Sequence, residues 1–513
     1  MIRHNGPQAW KNVHATMTAH LADLIDVDNA APGGGIPAGW ELFRQAARDL
    51  DQLARQARDQ GTRIRALGAG WALTDIAVTD GWLVNTKLLN GCFDLGDQLF
   101  EPGFPGDRRP FVVLAQCGIS IAELNVHLEV SGPTAVAGRP RALKTSGIGA
   151  GQTVAGAISG NTHGSALNFG ATPDFVVGLQ IVTGSGRSVW IERASRPVLN
   201  DDFLSRIDAD RIRDDDVFNA AVVSLGAFGI ITAVAIETDP IYQLLFPPVR
   251  DISYAELKNK LDHFDYDSPR GLYHYEFIFD PYNQGQTAME AAATRVPYEA
   301  GHPAPKPVWI VRGENGFALG DKTPAAVLQA PVGPPGIKTA IQYRQYREKC
   351  ILSDVRATPG QCFTATISYF EGNTETALGV SINDAAKTME LCGEVIRTMQ
   401  LPAMSQVRIV HPSQALLSFT HLGPKTVVFE FGLAHNARSP EFENNVVKAF
   451  EDAGVRYTFH WSKNSGIDPH RLRAMYGDDR VNRWRQARER VFNHDAAQMR
   501  VFDNDHLKAA GLA

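Results

Sequence analysis

Three short glycine-rich stretches are the parts of this 513-residue sequence whose composition most directly indicates a binding chemistry. They read GAG at 68–70, a longer run between 147 and 164, and LGAFG at 225–229. Successive backbone N–H groups in glycine turns form concave sites for anions, most often for a pyrophosphate. The dinucleotide fingerprint GxGxxG is absent, because Leu73 and Val154 occupy the position of its third glycine. Each turn taken singly is equally compatible with a tight connection that binds nothing.

Polar residues on two predicted strands form a second candidate site. In SQVRIV (405–410), Gln406 and Arg408 share one strand face, and the apolar residues between them share the other. In TVVFEFGL (426–433), Glu430 lies on the face opposite Val427, Phe429 and Phe431. If both apolar faces pack on a helix predicted at 382–399, the three polar side chains point away together. The alternative interpretation is a solvated sheet surface.

The elements that must position these residues are a mixture of helices and strands up to about residue 240. An amphipathic helix is predicted between Gly39 and Gly61, with an apolar stripe formed by Leu42, Ala46, Leu50, Leu53 and Ala57. Ser120 and Glu123 form a capping box that predicts a helix running to Val130. Strands are predicted at 63–66, 82–86, 111–116, 175–183 and within 220–238.

Beyond Pro240 the pattern changes and indicates a second domain. The segments 274–279 and 425–434 alternate like sheet strands, and 382–399 has helical spacing. Residues 290–340 are rich in Pro, Gly and Ala and predict an irregular excursion. A docking helix with a solvated basic face is predicted at 480–493, its buried stripe formed by Val481, Trp484, Ala487, Arg488 and Val491.

Charge and cysteine content limit the class of partner. The formal net charge of -6 comes without the basic stripe that nucleic acid or acidic lipid requires. The five cysteines are far apart and form no CxxC pair, which predicts reduced core residues. The N-terminus lacks the apolar core of a signal peptide, and no long apolar run occurs. We therefore expect a cytoplasmic protein with a small-molecule partner, without nucleic acid or membrane, and of undetermined oligomeric state.

Four motifs resemble a known flavoprotein superfamily. RALGAGWALTD, QTVAGAISGNTHGS and SLGAFGIIT occur in the order seen in the FAD domain of the PCMH-type (vanillyl-alcohol oxidase and p-cresol methylhydroxylase) proteins, and FHWSK (459–463) resembles the HWGK of their alditol and aldonolactone oxidase branch. The resemblance implies an α+β fold with an FAD-binding domain and an antiparallel-sheet substrate domain covered by helices. The implied divisions are an N-terminal extension at 1–34, the FAD-binding domain at 35–240, the substrate domain at 241–460 and a returning C-terminal segment at 461–513.

The resemblance also implies which residues hold FAD. The pyrophosphate is expected to contact Gly68, Ala69, Gly70, Trp71 and Ala72. The flavin is expected to contact Thr153, Gly156, Gly160, Thr162, His163 and Gly164, with His163 serving to position the cofactor. Ile230 is expected on the adenine side. Gly147 matches the position that controls access of oxygen to the flavin, and a glycine leaves that path open.

The sequence departs from the family at the attachment points for the cofactor. Trp71 stands where the family commonly has a histidine bonded covalently to the flavin, and an indole cannot form that bond. The cysteine used by other members would fall near Gly149, but no cysteine lies between 118 and 349. We therefore expect FAD to be bound without a covalent link.

The resemblance places Arg408 and Lys463 beside the substrate, near the N5 edge of the flavin. Cations there would stabilise a developing alkoxide and the reduced flavin during hydride transfer. The family's glutamate is replaced by Gln406, which does not accept a proton at neutral pH. Glu430 stands on the neighbouring strand, and we hypothesise that the acid has moved there to act as the base.

Together these features predict an FAD-dependent oxidoreductase that oxidises a CH–OH group of a polyol, sugar, lactone or related alcohol. The expected electron acceptor is O2, which gives H2O2. The alternatives are a dehydrogenase that uses another acceptor, a non-redox flavoprotein of the isomerase or lyase type, and a ligand-binding protein. No metal site is expected, because the histidines at 411, 421, 435, 460 and 470 lack ligand spacing.

Overall fold

The computed structural model describes residues 1–30, 35–130, 140–147, 149–264, 271–283, 288–303, 305, 333–349, 351–364, 372–464 and 466–513. Its helices are α1 (Trp40–Asp59), α2 (Ile121–Val130), α3 (Val154–Ser159), α4 (Asp201–Ile207), α5 (Asp215–Ala221), α6 (Tyr254–Asp262), α7 (Pro335–Lys349), α8 (Pro359–Thr364), α9 (Ala385–Thr398), α10 (Arg438–Asp452), α11 (Pro469–Val491), α12 (Ala496–Val501) and α13 (Asp505–Ala509).

Its strands are β1 (Ile2–His4), β2 (Gln8–Lys11), β3 (Thr18–Leu21), β4 (Asp23–Asp28), β5 (Ile64–Leu67), β6 (Trp82–Leu88), β7 (Cys92–Asp94), β8 (Val112–Gln116), β9 (Arg141–Ala142), β10 (Val176–Val182), β11 (Ser188–Glu192), β12 (Ala209–Arg213), β13 (Ile230–Glu237), β14 (Asp239–Pro240), β15 (Tyr242–Phe246), β16 (Arg250–Ile252), β17 (Leu272–Phe279), β18 (Ala288–Pro297), β19 (Val355–Ala357), β20 (Asn373–Ser381), β21 (Ser405–Val410), β22 (Thr426–Ala434) and β23 (Tyr457–Phe459).

Two larger sheets, with the two-stranded pairs β2-β3 and β9-β14, make up the described N-terminal half of the structure. The first has the strand order β1-β4-β6-β5, and the second has the order β12-β11-β10-β13-β8-β7. Every residue of β10 and β13 is buried, as expected for central strands covered on both faces. The mixed helix and strand pattern that the sequence predicted for this half is confirmed.

Helix α1 shows how the local sequence sets these elements. The predicted stripe residues Ala46, Leu50, Leu53 and Ala57 are buried, whereas Leu42 is only half-buried. The helix ends at Gly61, whose φ of 65° lies in the left-handed region that favours glycine. The capping box of α2 is also present, since Glu123 N–H donates to Ser120 Oγ at 3.1 Å and Ser120 N–H donates to the Glu123 carboxylate at 2.7 Å.

The first thirty residues do not form a separate extension. Strands β1 and β4 belong to the same sheet as β5 and β6, with β4 paired to β6 in parallel. The loop after β2 also contacts the first glycine turn, because Val13 N–H donates to Gly70 O at 3.1 Å. The N-terminal segment is therefore an integral part of this sheet. The pairing was not detectable in the sequence, because β4 and β6 are separated by more than fifty residues.

A nine-stranded antiparallel sheet forms the second half, with the order β19-β15-β18-β17-β21-β22-β20-β23 and β16 paired to β18. The apolar face of β21 and β22 lies in the main hydrophobic core with α9 and α10, through residues such as Val407, Phe429 and Phe442. The opposite face carries the polar residues of the same strands, as the sequence predicted.

One sequence prediction for this half is wrong in part. Residues 290–297 belong to β18, and α7 begins at Pro335, although the whole stretch 290–340 was expected to be irregular. The small residues Ala291 and Ala293 are buried between neighbouring strands, and their alternation was masked by the Pro- and Gly-rich composition that follows. Residues 304 and 306–332 lie outside the described part of the chain.

The C-terminal helices return to the first half of the structure. All five predicted stripe residues of α11 are buried, and Trp484 Nε1 donates to Val223 O at 3.2 Å. The basic face is not merely solvated, because Arg483 and Arg490 form ion pairs with Asp216 and Asp214 at the start of α5. Within the described residues, no helix combines the length and the apolar character that crossing a membrane requires.

Candidate active site

A single continuous cavity lies between the glycine-rich turns and the polar face of the large sheet. It measures about 1960 Å³, its opening to solvent included. Most of the predicted cofactor residues line it: Gly68, Ala69, Gly70, Trp71, Ala72, Gly147, Thr153, Gly156, Gly160, Thr162 and His163. All four residues predicted for the chemistry line it as well: Gln406, Arg408, Glu430 and Lys463.

Two of the predicted cofactor residues do not line this cavity. Ile230 is 1% exposed and lies in the hydrophobic core, while the next residue of β13, Ile231, lines the cavity. The reason is the alternation of side chains along a strand. Gly164 packs against the backbone of Ser146 instead, since a Cβ at position 164 would lie 2.6 Å from the carbonyl oxygen of Ser146.

Glycine is required in these turns for two different reasons. Gly70 has a φ of 73°, a conformation that residues with a Cβ rarely adopt. Gly149 and Gly151 make room for a side chain, because a Cβ at either position would lie 2.5 or 2.7 Å from ring atoms of Trp71. The indole of Trp71 therefore covers the place where the sequence comparison located a second attachment point for the cofactor.

Arg65, on β5, is a buried cation that lines the cavity and that sequence reasoning missed. Its guanidinium donates to the carbonyl oxygens of Phe502 (2.9 Å), Leu225 (2.5 Å) and Ile76. In the described part of the chain no carboxylate lies within ion-pair distance of it. Burial lowers the pKa of Arg65 to about 10, so it remains charged at neutral pH. A buried cation beside glycine turns suits an anion such as a pyrophosphate, and this lining fits FAD.

The other wall of the cavity is an ordered set of charges on the large sheet. Glu276 on β17 pairs in register with Arg408 on β21, and Gln406 pairs with Glu430 on β22. Arg408 Nη1 lies 2.7 Å from Glu430 Oε2, and Arg408 Nε lies 3.5 Å from Glu276 Oε2. Glu276, Arg408 and Glu430 are only 5–6% exposed, so the solvated-surface alternative is excluded.

Lys463, in the loop after β23, is the last charged residue of this wall. Its ammonium forms ion pairs with Glu430 and, at 2.6 Å, with Glu375 on β20. Burial by itself would lower the pKa of Lys463, but the two carboxylates outweigh it and raise the pKa above its ordinary value. Lys463 is therefore a cation at neutral pH.

Glu430 lies at the centre of the charges. Burial alone would raise its pKa, but Arg408 and Lys463 overcome that effect and hold the pKa well below the ordinary range. The same balance, with His274 and Arg408 as the partners, lowers the pKa of Glu276 to about 2. Both carboxylates are therefore ionised at neutral pH and accept protons poorly.

Two buried histidines complete the lining. His163 Nδ1 donates to Gly164 O at 3.0 Å, and its Nε2 lies 3.7 Å from Glu430 Oε1. The ring of His460 lies 5.9 Å from that of His163, and its Nδ1 accepts a hydrogen bond from Ser462 N–H at 3.1 Å. Burial lowers the pKa of both histidines, so both are neutral near pH 7.

Sequence reasoning also missed three polar residues of the sheet side. Gln406 Nε2 donates to Glu276 at 2.9 Å and to the Tyr346 hydroxyl at 2.6 Å, and Tyr346 and Glu375 line the cavity. Glu276 was detectable, because within 274–279 it alternates with Tyr275 and Phe277 as Arg408 alternates with its apolar neighbours. Tyr346 and Glu375 carry no comparable local signal.

The arrangement suits the oxidation of a hydroxyl group. Two fixed cations face the cavity where negative charge would develop on a substrate oxygen, and the amide and phenol offer hydrogen bonds that can orient further hydroxyls. No cluster of metal-ligating side chains occurs among the residues described.

Comparisons with known proteins agree with this arrangement. A family described as an FAD binding domain matches residues 44–192, from α1 to the end of β11. The chain is 26% identical over 494 residues to L-gulono-1,4-lactone dehydrogenase of Mycobacterium tuberculosis, a match that covers 93% of this chain and 97% of that protein. It is 31% identical over 192 residues to D-arabinono-1,4-lactone oxidase of Eremothecium gossypii, covering 37% of this chain and 30% of that protein.

The fold has a counterpart among solved structures. Cholesterol oxidase from Brevibacterium sterolicum superimposes with a TM-score of 0.66 at 15% identity, over 99% of this chain and 97% of that one. With a cavity that suits FAD and a charged wall that faces it, the chain is similar to the PCMH-type FAD flavoproteins and to their aldonolactone oxidase branch, and it is an FAD-dependent oxidoreductase that acts on a hydroxylated small molecule.

Proposed function

We propose that this enzyme oxidises a CH–OH group of an uncharged, polyhydroxylated substrate, of which a sugar lactone is the leading candidate. The observation that carries the proposal is the pair of buried charges Arg408 and Glu430 on β21 and β22, which line the same cavity as the glycine turns, with Glu276 of β17 paired to Arg408. The names of two relatives support the substrate class, since both proteins are named for 1,4-lactones.

Charge balance in the cavity supports an uncharged substrate. Arg408 is paired with Glu430 and Glu276, and Lys463 is paired with Glu430 and Glu375. Two cations are thus matched by three carboxylates, so a carboxylate on the substrate would meet no uncompensated positive charge on this wall. Displacing a buried ion pair to accommodate it would cost several kcal/mol, by an order-of-magnitude argument.

The residues on the sheet have distinct proposed roles. The hydride of the oxidised carbon is accepted by FAD, which is the chemistry that the cofactor supplies when it is bound. Arg408 and Lys463 stabilise negative charge on the substrate oxygen, and Gln406 and Tyr346 orient the other hydroxyls. Glu430 holds both cations in place. Its low pKa favours this role over the role of base that the sequence suggested.

We further propose that FAD is held without a covalent bond. Trp71 has no nucleophilic atom, and its ring occupies the space over Gly149 and Gly151. The residues that would hold the cofactor are the glycine turns at 68–72 and 147–163, together with Ile231 and Arg65. Denaturation of the yellow protein with acid should leave the flavin in the supernatant.

Oxygen is the proposed electron acceptor, with another acceptor as the second candidate. A Cβ at Gly147 would lie 3.1 Å from the methyl group of Thr162, so the glycine preserves space in the cavity wall. The second candidate is favoured by a different observation, because the relative that spans nearly the whole chain is named a dehydrogenase. Comparing the rate of peroxide formation with the rate of dye reduction decides between them.

Two further proposals concern organisation and location. We propose functional boundaries near residues 240 and 460, with the N-terminal strands counted on the FAD side. A reducing compartment such as the cytoplasm is proposed because Cys92, Cys117, Cys362 and Cys392 are free thiols. Cys350 lies outside the described residues.

An anaerobic titration of the yellow holoenzyme tests the proposed function. Addition of a 1,4-aldonolactone should bleach the absorbance near about 450 nm, whereas the open-chain aldonate made from the same sugar should not. The aldonate has the same carbon skeleton, but it carries a carboxylate charge and one more free hydroxyl in place of the lactone ring. Bleaching by the aldonate alone would contradict the uncharged substrate class, and turnover without bleaching would contradict the redox function.

A further inference from the structure

His163 lies between two hydrogen-bond acceptors, and this fixes the state of its ring. A carbonyl oxygen only accepts, so the 3.0 Å contact between Nδ1 and Gly164 O requires the proton on Nδ1. In the neutral ring Nε2 then carries a lone pair. Nε2 lies 3.7 Å from Glu430 Oε1, which is also a hydrogen-bond acceptor, so neither of the two facing atoms carries a proton.

We propose that His163 is the proton acceptor of the oxidation and takes the hydroxyl proton of the substrate on Nε2. This inference rests on the proposed function. Oxidation removes a hydride from the carbon and a proton from the oxygen while the C=O double bond forms. The hydride, with both electrons, goes to the cofactor, and the proton goes to His163. The imidazolium that results donates to Gly164 O through Nδ1 and forms an ion pair with Glu430 through Nε2.

The second histidine of the cavity cannot take this role. His460 Nδ1 already accepts a hydrogen bond from Ser462 N–H at 3.1 Å, so its single lone pair in the neutral state is occupied. Its Nε2 therefore carries the proton and is a donor. The two rings lie side by side, yet only His163 presents a basic nitrogen to the cavity wall.

The other groups on the wall are excluded by their charge state or their chemistry. Lys463 and Arg408 are protonated, and the amide of Gln406 is not basic. Glu430 is ionised, but the two cations depress its basicity. Glu375 is engaged by Lys463 at 2.6 Å, and its side chain is 41% exposed.

The surroundings of His163 set how the activity depends on pH. Burial lowers the pKa of the ring, while Glu430 on β22 partly restores it, and Arg408 on β21 and Lys463 after β23 oppose that restoration. His460 faces it from the same loop as Lys463. The base must be neutral to work, so the rate should rise with pH through a midpoint below the ordinary value for histidine, about 6.5.

The kinetic test compares two histidine variants of the holoenzyme. His163→Gln keeps an amide that can donate to Gly164 O but cannot take up a proton, so the limiting rate of anaerobic flavin bleaching should fall about 100-fold or more. The decrease of the bleaching rate at acid pH, which reports the titration of His163, should also disappear. His421→Gln is the matched control, because His421 Nδ1 also donates to a backbone carbonyl, Ser418 O at 2.8 Å, and the residue does not line the cavity.

A spectroscopic readout makes the inference independent of turnover. In the FAD-loaded enzyme labelled with 15N-histidine, the resonances that vanish in His163→Gln should show a protonated Nδ1 and a bare Nε2 near neutral pH. A proton on Nε2 in that state would overturn the proposal, and so would a near-normal bleaching rate in His163→Gln. If no alcohol bleaches the wild-type enzyme, the proposed function fails, and the NMR result still decides the state of His163.

Discussion

The two walls of the cavity are built in opposite ways. The wall formed by the glycine turns is mostly backbone, its residues come from three short continuous segments, and Arg65 is its buried cation. The opposite wall is formed by charged side chains from four separate segments, namely β20, β21, β22 and the loop at 460–463, with Glu276 of β17 paired to Arg408 beside it. A backbone cradle binds a cofactor through shape and N–H groups, whereas the charged wall depends on strand register.

Because the two walls are built differently, amino-acid substitutions should affect them in different ways. In the cradle a substitution acts by adding volume, because little side-chain chemistry is there to be lost. On the charged wall a substitution acts by leaving a partner ion buried without its counter-charge, which costs more than the interaction itself contributes. Variants on the charged wall should therefore alter chemistry first, and added volume at the first glycine turn should alter cofactor binding first.

The largest expected effect is that of Arg408→Met. It leaves Glu276 and Glu430 buried without their shared cation and removes the charge that stabilises the substrate oxygen. We expect the limiting rate of flavin bleaching to fall by about 10³-fold, with a loss of stability of about 3–5 kcal/mol. Stopped-flow reduction and urea unfolding measure the two. Arg344→Met, at an exposed arginine of α7 paired with Glu348, is the control and should be neutral in both.

Gly68→Ala should weaken the cradle without touching the charged wall. The added Cβ would lie 2.2 Å from Thr153 Oγ1, the side chain that caps α3 through Gly156 N–H. We expect FAD affinity to fall by about tenfold or more, corresponding to a strain of about 1–3 kcal/mol. Equilibrium binding of FAD to the deflavinated protein measures this. Gly103→Ala, where a Cβ meets nothing within 4 Å, should bind FAD normally, and equal losses in both variants would contradict the steric explanation.

Glu430→Gln should show whether Glu430 or His163 is the group whose titration controls the rate. Loss of the carboxylate removes a charge that raises the pKa of His163, so the acid limb of the rate profile should move to lower pH. A shift of about one pH unit and a rate loss of about tenfold are expected, with FAD still bound. If the acid limb vanishes instead of moving, Glu430 itself is the base.

The smallest effect is expected for Gly147→Ala. Its Cβ would lie 3.1 Å from Thr162 Cγ2 and 3.3 Å from His163 O, a crowding that small shifts can relieve. We expect reoxidation of the reduced enzyme by O2 to slow by a few fold, about 1 kcal/mol, while its reduction by substrate stays unchanged. Mixing the reduced enzyme with oxygenated buffer measures the step, and unchanged reoxidation would remove Gly147 from control of oxygen access.

Sequence reasoning performed differently on the two walls. The three glycine turns were recognisable because each is a short continuous segment, and they proved to line one cavity. The exceptions follow from details of packing: Ile230 and Ile231 are neighbours on one strand, and only the second faces the cavity. Which glycines face the cofactor and which make room for Trp71 was also invisible, since that depends on where the indole packs.

On the charged wall, the faces of β21 and β22 followed from alternation, so Gln406, Arg408 and Glu430 were found together. Their partners were not, because Glu276, Tyr346 and Glu375 come from distant segments whose pairing no local pattern specifies. The role that we propose for Glu430 differs from the sequence hypothesis for the same reason, since its pKa depends on cations from two other segments.

The amino-acid sequence by itself determined several of the longer helices and strands, the glycine turns and the alternation that gathers polar residues on one strand face, because these depend on neighbours within a few residues. Only the tertiary structure decided which charges meet, which of two adjacent histidines presents a lone pair to the cavity, and which strands join the N-terminal sheet. Those properties depend on register and burial, which arise when segments far apart in the chain are brought into contact.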